Sequence, residues 1–323
     1  MQRISRQVYH TCALRHGLIP RSSTSSGLRP HKIRCHATVA SHNVPCLAVP
    51  ALNHAQQLDH VRKVSEQLER SGMLKLSLQF PDNNSDYLKK LLVSLHQNHG
   101  HQLPISHSAT RGWFWDVRPS KTNFQAGNHQ ARSETMNEFP WHTDCSYEDP
   151  PPRYFALQVL QHDRCGGGTL SVMNVERLSE LLSPGTRSAL IAPEYRITIP
   201  PEFIKDPNQE HIIGSVFVTH PNHQSTMIRF REDILTPLTE RASRALEELK
   251  EALLREEVQA HSTVHLKSSD LPKGSIILMD NRRWLHARND IKDPERHLRR
   301  VRWDACPFDN ISEPNRDIMQ MSQ

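Results

Sequence analysis

The sequence predicts an α+β fold with its strands gathered into a β-sandwich or barrel, and three observations carry that reading. Helical periodicity is strongest at the front of the chain and in one long late segment. Short apolar runs bounded by Gly, Pro and Asn fill the rest. No internal repeat is visible, and neither GxGxxG nor GxxxxGK[ST] occurs among only 12 glycines, which argues against a glycine-cradled nucleotide fold.

Taken in order, residues 55–71 place Leu58, Val61, Val64 and Leu68 at three- and four-residue spacing, an amphipathic helix. Met73 to Phe80 alternates Leu74, Leu76, Leu78 and Phe80 with other residues, a half-buried strand stopped by Pro81-Asp82-Asn83. A second helix is expected from Ser85, as its N-cap, to Asn98, with Gly100 beyond its end. The stretch 101–140 has no clear period and reads as loop and short strand. Tyr154 to Leu160 and Thr169 to Val172 read as strands around Gly166-Gly167-Gly168. Glu176 to Leu190 is helical with a break at Pro184-Gly185, and short strands are expected at 195–200, 212–219 and 226–231. Pro237 to Ala260 is the longest expected helix, with Leu238, Ala242, Ala245, Leu249 and Ala252 inward. Pro272-Lys273-Gly274 turns into a strand at Ser275 to Met279.

Composition narrows the function classes. The 323 residues suffice for one large catalytic domain, and no apolar stretch approaches the roughly 18 residues of a membrane span. The net charge of +5 is unevenly distributed. Before Asp59 the chain holds seven basic residues and no acid, which leaves 33 basic against 35 acidic side chains, a net −2, in the remainder. A body so nearly neutral lacks the basic footprint of a nucleic-acid binder. The six cysteines form no CxxC pair, against both a disulfide scaffold and a structural zinc site.

Residues 1–45 form a basic leader. Ile4, Val8 and Cys12 would lie on one side of a helix beside Arg3 and Arg6, the pattern of a mitochondrial transit peptide; a disordered basic tail in a cytoplasmic protein is the alternative. Residues 46–323 are expected to form one folded domain.

The chemistry concentrates at Phe139-Pro140-Trp141-His142-Thr143-Asp144. In a strand, His142 and Asp144 leave the same face and can grip one metal ion. An imidazole, a carboxylate and a distant second histidine compose the facial triad of non-haem iron oxygenases, and His286, after the strand at 275–279, supplies the second histidine. Alone, a His-x-Asp string is weak, and a structural histidine explains His142 equally well.

Four pieces in order raise its weight: His142-Thr143-Asp144, Gly167-Gly168-Thr169, His286, and Arg296-His297-Leu298-Arg299-Arg300. Over residues 100–305 the chain resembles the taurine dioxygenase/TfdA-like (clavaminate synthase-like) family of Fe(II)- and 2-oxoglutarate-dependent dioxygenases. The resemblance implies a double-stranded β-helix (jelly-roll) core with flanking helices and a helical insertion between the two histidines. It implies Fe(II) on His142, Asp144 and His286. It places 2-oxoglutarate as co-substrate, its far carboxylate on Arg296 with help from the Thr169 hydroxyl, and Arg300 facing the co-substrate or an anionic substrate group. Strand register leaves Arg299 as an alternative to Arg296. The implied reaction consumes O₂ and 2-oxoglutarate, releases succinate and CO₂, and oxidises, most simply hydroxylates, an unactivated C–H of a small and carboxylate-bearing molecule. The carboxylate at 144 argues against halogenation.

Further pocket candidates are Glu138, Ser146 and Tyr147, together with Arg229 and Arg231, which would share one side of a strand around Phe230. Trp141 and Trp284 are expected to pack around the site, and His162 and His297 to lie outside the ligand set. A protein-lysine demethylase of the same superfamily, a non-catalytic metal-binding jelly-roll and a hydrolytic zinc site are the competing readings.

Overall fold

The computed structural model describes residues 44–106, 112–122, 124–125, 129–219 and 225–308. The basic leader, up to residue 43, lies outside them. Strand β1 (Cys46–Val49) precedes helix α1 (Leu58–Ser71), whose Val61, Val64 and Leu68 are fully buried as the periodicity requires, whereas Leu58, at its first position, is exposed. Strand β2 (Met73–Leu78) follows directly. Helix α2 (Asp86–His99) starts one residue later than expected and for a different reason. Ser85 occupies the N-cap position with φ 62° and makes no capping bond; the Asp82 carboxylate instead accepts from the amides of Asp86 (2.9 Å) and Tyr87 (3.0 Å).

Strands β3 (Trp115–Val117), β4 (Phe139–His142), β5 (Pro152–Gln161) and β6 (Leu170–Asn174) come next, then the short helices α3 (Val175–Glu180) and α4 (Pro184–Ile191); the break falls at residues 181–183, before the expected Pro184-Gly185, which open α4 behind the Ser183 cap. An insertion then carries β7 (Tyr195–Thr198), β8 (His211–Gly214), β9 (Phe217–Thr219), β10 (Thr226–Ile228) and β11 (Leu235–Pro237). The single helix expected over 237–260 is two, α5 (Glu240–Leu254) and α6 (Glu256–Ser262), parted by extended backbone at Arg255. Thr239 caps α5 by accepting from the Ala242 amide at 3.1 Å, so Leu238 precedes the helix and is exposed rather than inward. Strands β12 (Thr263–Leu266), β13 (Ser275–Asp280), β14 (Trp284–Arg288) and β15 (His297–Ala305) complete the described chain.

A six-stranded sheet runs β1-β2-β13-β5-β15-β3 and a four-stranded sheet β12-β6-β14-β4. Side-chain alternation assigns their faces. On β5 and β13, Ala156, Ile276 and Leu278 pack against α1 and α2, whereas Phe155, Leu157, Ile277 and Met279 meet Leu170, Val172 and Trp284 of the second sheet. Met173 and Leu285, on the opposite face of the four-stranded sheet, join the core formed by the insertion with α3, α4 and α5. Each fully buried Leu, Ile or Phe in these cores contributes roughly 1.5–3 kcal/mol. The result is an α+β molecule in which a two-sheet sandwich stands between two helical layers, and the predicted catalytic residues sit at its inter-sheet space.

Candidate metal centre

Strands β4 and β14 pair antiparallel with His142 directly opposite His286. Trp284 belongs to the inter-sheet core and Leu285 to the outer one, so His286 projects between the sheets, its ring 4.6 Å from that of Phe155. The two imidazole centroids are 4.1 Å apart. Asp144 does not share a strand face with His142, as expected from i, i+2 spacing, because β4 ends at His142. Beyond it, Thr143 turns to Phe230, donating its amide at 2.7 Å and accepting the Phe230 amide on Oγ1 at 3.0 Å. Asn281 then grips the Asp144 backbone on both sides: its Oδ1 accepts the amide at 2.7 Å and its Nδ2 donates to the carbonyl at 2.8 Å. The outcome is compact. One donor atom each from His142, Asp144 and His286 lie within 4.8 Å of one another, and all three residues are buried.

The electrostatics suit a cation. His142 donates Nδ1–H to the Pro140 carbonyl at 2.7 Å, which leaves the Nε2 lone pair free. Burial, aided by His286, holds the His142 pKa well below 6.5. Burial brings His286 down to about 4, although Asp144 pulls the other way, so both rings are neutral near pH 7. For Asp144, burial alone would raise the pKa; the Arg300 guanidinium, reinforced by His286 and Arg302, outweighs it and keeps the carboxylate ionised. Arg300 Nη1 donates to Asp144 Oδ1 at 2.8 Å, while Oδ2 is buried without a partner among the described residues. An orphaned buried carboxylate oxygen costs about 1–3 kcal/mol or more, a cost that a bound cation removes. The residues present therefore fit a divalent metal.

His142 and Asp144 line a recess of ≈ 350 Å³ together with Tyr147, Arg231, Arg300 and Arg302. Arg300 and Arg302 alternate on β15 and so share its inner face, whereas Val301 and Trp303 face the helices. Arg296 lies just before that strand, lining a second recess with Gly168, Leu170 and Leu298. It is 5% exposed, and its buried Nη1 has no acceptor among the described residues. Burial, with Arg288 adding repulsion, lowers its pKa to about 9.

The Gly167-Gly168-Thr169 string has a steric cause. A Cβ on Gly168, whose φ is +64°, would meet Arg296 Nε at 2.7 Å. A Cβ on Gly167 would meet the Asp290 carbonyl at 2.5 Å and the Lys292 amide at 2.6 Å. The Asp163 carboxylate ties these segments together, accepting from the amides of Cys165, Gly167, Lys292 and Asp293. Thr169 is half-buried and donates its amide to Asn289 Oδ1 at 2.7 Å.

Other sequence candidates divide. Tyr147 reaches the recess. Ser146 is buried, and Glu138 is exposed with its amide donated to Asp290 Oδ1 at 2.6 Å. Arg229 and Arg231 do not form an inward pair, since β10 stops at Ile228: Arg229 lies over the Phe308 ring at 4.6 Å, and Arg231 alone lines the recess. Arg299 faces away, donating to Asp116 Oδ1 at 3.0 Å, where His297 also binds at 2.9 Å. His162 lines the Arg296 recess rather than the metal centre. Trp284 donates Nε1–H to the Ser71 carbonyl at 3.1 Å, and Trp141 packs on the insertion core. Sequence reasoning missed Asn281, Asp163 and Arg302. Extending the i, i+2 rule from Arg300 would have found Arg302; the other two act through contacts more than a hundred residues away and leave no local signal.

Comparison with known proteins agrees with this arrangement. Over 150 residues the chain is 29% identical to an L-asparagine oxygenase of Streptomyces coelicolor, a match covering 46% of this chain and 41% of that one. The chain thus spans less than half the length of this curated relative. Among solved structures, an asparagine oxygenase in complex with Fe(II), 3-hydroxyasparagine and succinate superposes with a TM-score of 0.59 at 18% identity, covering 80% of this chain and 92% of that one. The non-haem iron oxygenase OrfP, in complex with Fe and α-ketoglutaric acid, gives 0.54 at 15% identity, with 81% and 82% covered. These two share the fold. The family model described as taurine catabolism dioxygenase TauD, TfdA family matches residues 57–302, so that by far the larger part of the chain, both histidines of the centre included, places this protein in that family.

Proposed function

We propose that the protein is an Fe(II)- and 2-oxoglutarate-dependent dioxygenase that hydroxylates an unactivated C–H of a small, carboxylate-bearing molecule, releasing succinate and CO₂. The observation that carries this reading is the buried His142–Asp144–His286 donor set, with Asp144 Oδ2 lacking a partner among the described residues. These three side chains would hold Fe(II), which when bound activates O₂ together with 2-oxoglutarate. Arg296 would offer its buried guanidinium, whose Nη1 has no acceptor among the described residues, to the far carboxylate of 2-oxoglutarate, and Thr169 would add its hydroxyl. Arg300 keeps Asp144 anionic and fixes its rotamer, so that Oδ2 is the oxygen presented to the metal. Tyr147 and Phe203, stacked at 5.2 Å, wall the recess against water.

What proteins of the same fold hold supports the reading: an asparagine oxygenase in complex with Fe(II), 3-hydroxyasparagine and succinate, and OrfP in complex with Fe and α-ketoglutaric acid. The sandwich of six- and four-stranded sheets supports a double-stranded β-helix. The acid-free leader supports delivery to mitochondria. A non-catalytic metal site would leave the buried Arg296 Nη1 without an acceptor among the described residues.

The test is anaerobic difference spectroscopy of the purified protein on adding Fe(II) and then 2-oxoglutarate. A weak visible charge-transfer band that is lost in His286→Ala is the expected result. Bound iron without that band overturns the dioxygenase reading.

A further inference from the structure

The recess beside the metal centre carries more positive charge than the proposed chemistry consumes. Besides Arg300, it is lined by Arg132, Arg231 and Arg302, against the carboxylates of Asp144 and Glu202. Arg231 is placed by backbone, not by chance of a long side chain: it forms an isolated antiparallel bridge with His142. Its Nε and Nη2 donate to the two oxygens of Asp233 at 2.8 and 2.7 Å, which leaves the Nη1 hydrogens for another acceptor. Arg132 approaches the same carboxylate at 3.7 Å. Asp233 is therefore shared between two guanidinium groups and is itself 43% exposed, so it neutralises at most one of them.

Both guanidinium groups also lie over the Phe139 ring, at 5.3 and 5.6 Å from its centroid, and Phe139 stacks on His142 at 3.6 Å. The aromatic ring holds the two cations at the rim of the recess, next to a proposed iron ligand, where each would otherwise seek solvent. Arg302 adds a third positive charge from the inner face of β15, and at 2% exposure water screens it little. A cationic side chain entering this recess faces four arginines against two carboxylates, Glu202 and an Asp144 whose charge Arg300 already meets. An oxyanion meets two planar forks.

We propose that Arg231 and Arg132 form an anion clamp at the mouth of the active site, selecting a substrate that carries a carboxylate remote from the oxidised carbon. This rests on the dioxygenase reading of the same site and narrows it to dianionic acids, in preference to free zwitterionic or basic amino acids.

The test uses the intact protein with Fe(II) and 2-oxoglutarate under anaerobic conditions. Adipate and N-acetyl-L-glutamate serve as dianion probes, L-asparagine as a zwitterion and L-arginine as a cation. Binding is read from the shift in thermal unfolding midpoint as each probe is titrated. The dianions should bind at least about 10-fold more tightly than the other two, and Arg231→Gln should weaken them by about 10-fold or more, the scale of one charge-assisted hydrogen bond. Arg231→Lys should restore part of the loss. Asp233→Asn, which releases both guanidinium groups, should tighten the dianions. Equal or tighter binding of asparagine or arginine overturns the proposal, as does dianion binding that is absent or indifferent to Arg231→Gln and Asp233→Asn. In air, wild-type protein that makes no succinate yet binds dianions through Arg231 overturns the dioxygenase reading and leaves the clamp standing.

Discussion

Arg300 Nη1 lies 2.8 Å from Asp144 Oδ1, a buried ion pair in which one carboxylate oxygen is committed to the protein and the other, Oδ2, has no partner among the described residues. The pair therefore has a structural and a chemical half. Asp144→Ala removes both. It leaves the Arg300 charge buried without its counter-ion, which costs about 3–5 kcal/mol, and it removes a metal donor. Urea unfolding of Asp144→Ala should show that loss, and succinate formation should vanish. Combining it with Arg300→Met should recover most of the stability but no activity. Full stability in Asp144→Ala, or turnover in either protein, would contradict this division.

The glycine string separates two effects in adjacent residues. At Gly167 a Cβ meets backbone atoms of Asp290 and Lys292, which cannot swing aside. At Gly168 it meets the flexible end of Arg296, on a backbone with φ +64°. Gly167→Ala should lower stability by more than about 1 kcal/mol through displacement of the 290–292 segment. Gly168→Ala should push the Arg296 guanidinium and raise the KM for 2-oxoglutarate by about 10-fold, the scale of a strained charge-assisted contact. Steady-state kinetics and urea unfolding on both variants decide the matter; the same phenotype in each would undo the distinction.

How much of this the sequence discloses depends on the range of the interaction. Val61, Val64 and Leu68, and the alternation of Leu74 with Leu76, report local periodicity, and α1 and β2 form where that periodicity places them. The triad is legible as well, because His142 and Asp144 are close in sequence and His286 follows a recognisable strand. What is not legible is how Asp144 reaches the centre. The i, i+2 rule presumes a strand, but the chain leaves β4 at His142 and is held by Asn281, a residue 137 positions away. The cap of α2 fails for a related reason: Ser85 and Asp82 compete for the same amides, and a left-handed φ at Ser85 gives them to Asp82. Arg299 and Arg296 could not be ranked until the register of β15 against β5 fixed their faces.

Asp116 supplies a pH dependence away from the metal centre. Burial works against its ionisation, but hydrogen bonds from His297 and Arg299 outweigh it and bring the pKa to about 2. In the unfolded chain an aspartate titrates near 3.9, so on acidification the unfolded state binds the proton first. The stabilisation is fully present above about pH 5 and is lost as the pH falls from about 4 to 2. The difference in unfolding free energy between wild type and Asp116→Asn should therefore be constant from pH 6 to 5 and shrink toward pH 2. A difference that grows on acidification would reverse the sign and remove Asp116 as its source.

Arg296 and Arg299 are three residues apart and should behave oppositely. Arg296 is buried, lines the inter-sheet recess at Gly168 and has a guanidinium nitrogen with no acceptor; the anion that would satisfy it is the far carboxylate of 2-oxoglutarate. Arg299 looks outward and is already spent, with Nε on Asp116 at 3.0 Å and Nη1 on the Asn83 carbonyl at 3.1 Å. Losing a charge-assisted hydrogen bond costs about 1.5–3 kcal/mol, which corresponds to a rise of roughly 10- to 150-fold in KM for 2-oxoglutarate in Arg296→Ala, with iron still bound. Arg299→Ala should instead lower the unfolding midpoint and leave that KM close to wild type. Metal content measured alongside KM keeps the two outcomes apart. Arg296→Ala removes a buried guanidinium whose Nη1 has no acceptor among the described residues and which Asp163 offsets only in part, so the unliganded protein should lose little stability by the change. A large stability loss there with unchanged KM would mean that Arg296 is a packing residue and that the co-substrate carboxylate is held elsewhere.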